Sequence, residues 1–343
     1  MYKKAQVLII SLWILVILAI LAISISHRVS MALYLSKYQR DRLKAIYLAK
    51  AGVNRAIIEL EKDKDKNTYD SLNETWSTGC DAVGKSLFEN VEIEAGAGET
   101  FTVKYLYHKE NNEYLCMADE ERKINLNKLD DFGQRQLAAL FLFAGLTELE
   151  RAELENIILA WIGPGPETES GREIFKNGPL KTPEELLLIL EYFYELKSGS
   201  GRASERAREA YSKIEDLITV YGDGRININT VSGEVLNNIL LRALFDVLPT
   251  GSISIDQIND ISRRIVLFRN GGGVFDTPDI ENKLGSGLTI EQHNAIVELN
   301  NHITIKSDNF RIKSVGNAGR IRKEIITIVE RADPIKIVYW HED

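Results

Sequence analysis

The sequence predicts an α+β protein: a long N-terminal helix packed on an antiparallel sheet, with a large all-α block inserted into that sheet. Three observations carry this prediction. Nineteen residues from Val7 to Ile25 carry no charge, and helical spacing continues beyond them. Strand-like runs lie near both ends of the chain. Between them, from about Ile124 to Asn301, apolar residues recur at three-to-four spacing. A chain of 343 residues suits about two domains. Its 44% hydrophobic and 27% charged content exclude disordered and collagen-like classes. The net charge of −8 supplies no overall basic field for nucleic acid.

The run Val7–Ile25, as a helix, spans about 28 Å, close to the hydrocarbon thickness of a bilayer. Lys3 and Lys4 precede it, which keeps the short N-terminus cytoplasmic and exports the rest. Three readings fit. A cleaved signal peptide would use Ala22-Ile23-Ser24, although the apolar core is longer than such peptides need. A plain membrane anchor fits the length. The third reading is the stem of a filament subunit stored in the membrane. Leu43, Ile46, Tyr47, Val53, Ile57 and Leu60 continue the helical spacing among basic residues, and neither Pro nor Gly falls between Gln6 and Ala51. One helix of about 55 residues is far above the globular mean of about 11–12.

Beyond a charged boundary at 61–66, strands are expected at Val91–Glu94, Phe101–Tyr107 and Glu113–Cys116. Helices follow at Gln136–Phe143, Leu149–Ile162, Pro183–Leu196, Glu205–Val220, Glu234–Val247, Ile255–Phe268 and Ile290–Leu299. Strand character returns at Phe310–Val315, Ile321–Val329 and Ile335–Trp340, with a hairpin turn at Asn317-Ala-Gly319. Short strand sets are marginal alone, so the two ends are expected to share one sheet on the stem. Inside the block a weak repeat pairs Ile124-Asn-Leu-Asn127 with Ile226-Asn-Ile-Asn229. Its simplest reading is structural, the Asn side chains tying extended segments to helix ends.

Catalytic signatures are absent from the sequence. There is no Walker loop, His-Glu-x-x-His pair, Cys-x-x-Cys or Gly-x-Ser-x-Gly, and the five histidines have no metal-ligand spacing. No enzymatic activity and no required cofactor are expected. One metal candidate stands out: Asp63, Asp65, Asn67, Ser71 and Glu74 fall at positions 1, 3, 5, 9 and 12 of a calcium loop. Thr68 replaces the turn glycine and Asp70 the apolar position 8, so a solvated linker explains the run as well. Cys80 and Cys116 are too few for a disulfide framework, yet export would permit one bridge between them.

The N-terminal pattern resembles type IV pilin-like proteins: a tiny basic leader, an apolar stem and a globular head. By that resemblance a prepilin peptidase cuts between Ala5 and Gln6, where the family prefers Gly at the last leader position, and Gln6 is then methylated. Most such subunits carry Glu at the fifth mature position; here it is Ile10. Asp223-Gly-Arg-Ile-Asn-Ile-Asn-Thr-Val-Ser232, Lys123-Ile-Asn-Leu-Asn127, Pro179-Leu-Lys-Thr-Pro-Glu-Glu-Leu-Leu-Leu188 and Phe310-Arg-Ile-Lys-Ser-Val-Gly316 are together similar to the minor pseudopilin K family of type II secretion (general secretion pathway protein K). Relatives often carry aspartates around the tryptophan of Ala160-Trp-Ile-Gly-Pro-Gly165, so no ion-binding role is carried over to that loop.

The resemblance implies a leader at 1–5, a stem at 6–60, a first sheet part at 61–122, a helical insertion at 123–303 and closing strands at 304–343. The insertion would comprise two SAM-like, helix-hairpin-helix-like subdomains. It implies a single-pass inner-membrane protein, anchored by residues 7–25, with a periplasmic head. The partners would be minor pseudopilins I and J, with H and the major pseudopilin below them. Calcium is also compatible with the family. A rival reading is a membrane-anchored helix-hairpin-helix protein of DNA uptake, suggested by Ile226–Thr230, Arg264, Phe275–Ile280 and Gly285-Ser-Gly287. Between Asp256 and Gly287, however, four basic residues face five acidic ones, which offers phosphate little; no nucleic-acid partner is expected.

Overall fold

The computed structural model describes residues 2–64, 66–94, 98–107, 112–163, 175–198, 203–249 and 251–343, with side chains described from Ile10 onward except at 106, 107, 112 and 198. Helix α1 (Tyr2–Lys64) is one piece of 63 residues, four longer at its C-terminal end than the spacing suggested. Within 45–60 it buries Ala45, Leu48, Ala49, Val53, Ala56 and Leu60 on one side. These pack against Phe101, Val103, Phe310, Ile312, Ile325 and Val329 of the sheet, and a fully buried Leu, Val or Phe contributes about 1.5–3 kcal/mol. Small residues allow close approach. A Cβ at Gly52 would lie 2.1 Å from Ser314 Oγ.

Downstream come α2 (Thr75–Thr78), β1 (Val91–Glu92), β2 (Thr100–Tyr107), β3 (Asn112–Tyr114) and β4 (Ala118–Asp119). The helical block holds β5 (Ile124–Asn125), α3 (Asp131–Ala144), α4 (Glu148–Ile162), α5 (Glu185–Ser198), α6 (Ala203–Ser212), β6 (Ile218–Thr219), β7 (Ile226–Asn227), a π-helical turn (Val235–Leu240), α7 (Leu241–Val247), α8 (Ile255–Asn270), α9 (Ile290–Asn300) and β8 (Ile303–Thr304). The chain closes with β9 (Asn309–Ala318), β10 (Ile321–Glu330) and β11 (Lys336–Glu342).

One antiparallel sheet runs β1-β2-β9-β10-β11, with β3 on β2 and β4 on β9. Strands from both ends of the chain meet where Thr100–Lys104 pairs with Asn317–Lys313. The class is α+β, with a long helix on this sheet and additional helices between its strands. Two cores divide the described residues: one draws on 45–117 and 310–329, the other on 124–305. The helix expected at Glu205–Val220 stops at Ser212. The β-branched Ile218-Thr219 is extended instead, because it pairs in parallel with Ile124-Asn125.

That ladder has a twin. Ile226-Asn227 pairs in parallel with Ile303-Thr304, so each Ile-Asn-x-Asn segment closes a helical subdomain against an Ile-Thr pair. The Asn roles repeat. Asn125 Oδ1 accepts from Asn127 N, and Asn227 Oδ1 from Asn229 N, both at 2.9 Å. Asn127 then clamps Leu180, donating to its carbonyl and accepting from its N–H. Asn229 clamps Phe275 in the same way. Leu180 and Phe275 each stand two residues before a Thr-Pro pair. The sequence repeat is thus a structural one.

Candidate functional site

The stem is the first candidate. From Ile10 to Leu43 its large apolar side chains are exposed, and the helix is long and apolar enough to cross a membrane. Ala5 and Gln6 lie in the helical backbone, outside the residues whose side chains are described. Below the apolar half, the side turned from the sheet carries Leu43, Tyr47 and Ile58, all exposed. Ile57 is half-buried against the sheet core, so the free face centres on its neighbours. Lys44 ties this region to Glu99, and Lys50 reaches Glu342 at 2.9 Å.

Where the two cores meet, buried carboxylates and amides knit the segments together. Asp119 accepts from Thr230 Oγ1 and Asn227 Nδ2, while Asn227 also donates to Ser307 Oγ at 2.8 Å. Glu121 accepts from Asn309 N and Nδ2. Burial raises Asp119 and, joined by repulsion from Asp119, holds Glu121 well above the carboxylate range. Glu120 goes the other way. Burial works against its ionisation, but Arg311 and Lys123, at 2.9 and 3.0 Å, bring it down to about 2. Every one of these partners joins the insertion to the sheet or its own entry strand. The chemistry is that of a structural seam.

The expected calcium loop folds differently from its spacing. Asp65 lies outside the described residues. Asp63, at the end of α1, meets Glu74 as the spacing implies, but Asp70 joins them, and the three place ligand oxygens within 4.8 Å of one another. Asn67 turns its amide donor to Asp63 at 2.7 Å. Ser71 donates its backbone N–H to Glu74, whose same oxygen takes the Trp76 indole N–H. Those three carboxylates are the residues that could hold a cation, and Arg331 already provides one. Its buried guanidinium lies 3.0 Å from Asp63 and 2.8 Å from Asp70, with its flat face 4.6 Å from the Phe310 ring centre. Burial nonetheless raises Asp70 to about 7 and also raises Glu74. A divalent ion would have to displace the guanidinium, so the donor set fits calcium poorly.

The Gly285-Ser-Gly287 hairpin is present, with positive φ at both glycines. Its basic residues are spent internally. Arg264 bonds Asp260 and the carbonyls of Leu284 and Ser286. Arg263 pairs with Asp260, Lys283 with Asp276, and Arg269 donates to the Val231 carbonyl. Each of these four basic residues already has an internal partner that a phosphate would have to compete with.

No protein-family model matches the chain, and no curated protein sequence does either. Among solved structures, a chain in the GspK-GspI-GspJ complex of the type 2 secretion system from enterotoxigenic Escherichia coli is similar. The match covers 90% of this chain and 99% of that one, with a TM-score of 0.57 and 15% sequence identity. The fold is GspK-like.

Within this GspK-like fold both cysteines are free thiols, Cys80 half-buried and Cys116 buried, and burial pushes Cys116 up to about 12. Arg331 and Asp70 escaped the sequence reading. Arg331 sits far downstream, just past the end of β10, and Asp70 occupies a position where the calcium-loop template wants an apolar residue. The Ile-Thr partners of the repeat were visible as Ile218-Thr-Val220 and Ile303-Thr-Ile305, but two-residue ladders leave no periodic signal.

Proposed function

We propose that this chain is a non-enzymatic minor pseudopilin at the tip of a type II secretion pseudopilus, where it helps initiate the filament that exports folded proteins. The observation that carries this is the contrast between the two halves of α1: bare apolar surface from Ile10 to Leu43, then a length sealed against its own sheet. Such a helix needs lipid first and other stems later. Ile10 offers no carboxylate to the amine of a subunit above it, and the helical insertion is too wide for close stacking, so an end position suits it. The partners would be the minor pseudopilins I and J, the proteins named with GspK in the similar complex, and below them H and the major pseudopilin.

On this reading prepilin peptidase cuts Ala5–Gln6, Gln6 is methylated, residues 7–25 span the inner membrane and the head is periplasmic. Export would permit a Cys80–Cys116 bridge, and Arg331 stands in for calcium at Asp63 and Asp70. The test is copurification of the full chain with pseudopilins I and J, together with immunogold labelling of filaments. Label at filament ends, and loss of partners on Y47D or I58D, is expected. Label along the sides, or undiminished copurification of both variants, refutes the tip assignment. Salt-sensitive binding of duplex DNA at physiological salt would favour DNA uptake instead.

A further inference from the structure

The apolar character of α1 continues past residue 25. Val29, Met31, Leu33, Tyr34 and Leu35 are each more than half exposed, and seven successive helical residues wrap almost two turns, so these side chains surround the helix. A helix that is apolar all round belongs in an apolar medium, because one partner helix covers only a stripe. Between Val7 and Leu35 the basic residues are His27 and Arg28, and there is no acidic one. Arg28 lies two turns short of Leu35, within reach of an interface for a side chain that snorkels.

The head overhangs one side of this segment. Ala45 and Ala49 are buried against the sheet, and Asp41, Tyr38 and Tyr34 continue that side of the helix towards the membrane. The β9–β10 hairpin lies over the same side: a Cβ at Gly319, in its turn, would be 3.5 Å from Asp41 Oδ2. Arg320 and Arg322 are exposed there, with Lys323 half-buried. Charge is unevenly placed along the molecule. Residues 26–44 hold five basic residues and one acidic, and 317–324 hold three and one, whereas the helical block 123–303 holds 18 basic and 27 acidic. Asp41 and Glu99 already face Arg40 and Lys44, and Glu324 serves both Lys313 and Arg322.

We propose that α1 is embedded in the bilayer as far as Leu35 and leans towards its sheet, so that Arg320, Arg322 and Lys323 of the hairpin, with Lys37 and Arg42 of the stem, rest on anionic phospholipid headgroups. Val7–Leu35 as a helix is about 43 Å long. A tilt of about 40°, at the upper end for membrane helices, reduces its height to about 33 Å, close to the hydrocarbon thickness of about 30 Å. Leaning to the sheet side is what lowers the hairpin. Tyr34 and Tyr38 then sit at the interface, where aromatic residues gather, and the basic cluster meets lipid phosphate, as juxtamembrane polybasic segments do. The inference rests on reading α1 as membrane-spanning and not on a position at a filament tip.

The full chain is reconstituted in nanodiscs of phosphatidylcholine, alone or with about one-third phosphatidylglycerol, and hydrogen exchange is followed by mass spectrometry. Amides of 29–35 should exchange as slowly as those of 10–25 in both lipids. Those of 318–322 should slow at least tenfold with phosphatidylglycerol, and high salt should remove that slowing. The triple variant Arg320→Gln, Arg322→Gln, Lys323→Gln should lose the phosphatidylglycerol effect and keep 29–35 protected, while Leu33→Glu should speed exchange of 29–35 at least tenfold. Fast exchange of 29–35 in both lipids, hairpin exchange indifferent to phosphatidylglycerol, or an effect that survives the triple variant overturns the proposal. Hairpin slowing that appears only when pseudopilins I and J are added also overturns it and assigns the surface to protein. Extraction from vesicles by alkali separates the two readings: an extractable chain refutes the membrane span itself, whereas a resistant chain with fast exchange at 29–35 refutes only this seating.

Discussion

Gly316 on β9 faces the carbonyl of Ala45 on α1 so closely that a Cβ at 316 would lie 2.0 Å from that oxygen and 2.6 Å from Ala49 N. Both obstacles are main-chain atoms that a rotamer change cannot move. Gly316→Ala should therefore force the stem off the sheet, at a cost of roughly 2–4 kcal/mol. Gly233→Ala, whose Cβ would meet nothing within 4 Å, is the control. Thermal unfolding should show a drop of several degrees for the first and little for the second.

Arg331 with Asp63 and Asp70 makes a second prediction. Arg331→Met would strand two buried carboxylates, and breaking such a pair costs about 3–5 kcal/mol. Millimolar calcium should leave wild-type melting unchanged, since the guanidinium already sits between Asp63 and Asp70. A calcium-dependent rise in the wild-type melting temperature would show that the ion can displace it.

The same cluster predicts a pH response. Burial raises Asp70 from 3.8 to about 7, so the folded state holds its proton more tightly than the unfolded chain does. The resulting stability is fully present below about pH 4 and is lost as pH rises through 7. Glu121, also raised by burial, acts in the same direction. Stability should fall between pH 5 and pH 8, and Asp70→Asn should flatten part of that slope. Chemical denaturation at fixed pH values measures it.

The paired asparagines allow a local test. Asn127→Ala removes its two bonds to Leu180 and one to the Val220 carbonyl, and Asn229→Ala removes two to Phe275. With buried backbone groups left unpaired, each should cost about 2–3 kcal/mol. Hydrogen exchange should rise in α5 and near Leu180 for the first, and around Phe275 for the second. Uniform exposure of both subdomains by either variant would mean that the block opens as one unit.

Much of this architecture was legible in the residues. The stem announces itself through an uncharged run and an absence of helix breakers, and β10 through alternating Ile325, Thr327 and Val329. Short pieces were not legible. The extended Ile218-Thr219 looks like the last turn of a helix because Ile214, Leu217 and Ile218 are apolar at i, i+3 and i+4. Whether such a stretch coils or extends depends on Ile124-Asn125, its distant partner. Asp63 and Glu74 could be suspected of meeting, whereas Arg331, which meets Asp63 across 268 residues, could not.

The ion pair between Glu120 and Arg311, 191 residues apart in sequence and 2.9 Å apart in space, bears on how the chain folds. Closing a floppy loop of that length, compared with one of a few residues, costs roughly 3 kcal/mol more in chain entropy. The helical block removes this penalty, because its core draws on 124–305 alone and the chain meets itself at the block's two ends, the Glu120 N–H donating to the Asn309 carbonyl at 2.9 Å. Once it has formed, β4 and β9 are delivered as near neighbours, and the remaining search is that of an ordinary hairpin. The insertion therefore serves as a splint for the sheet, and weakening it should slow sheet formation as well as lower stability.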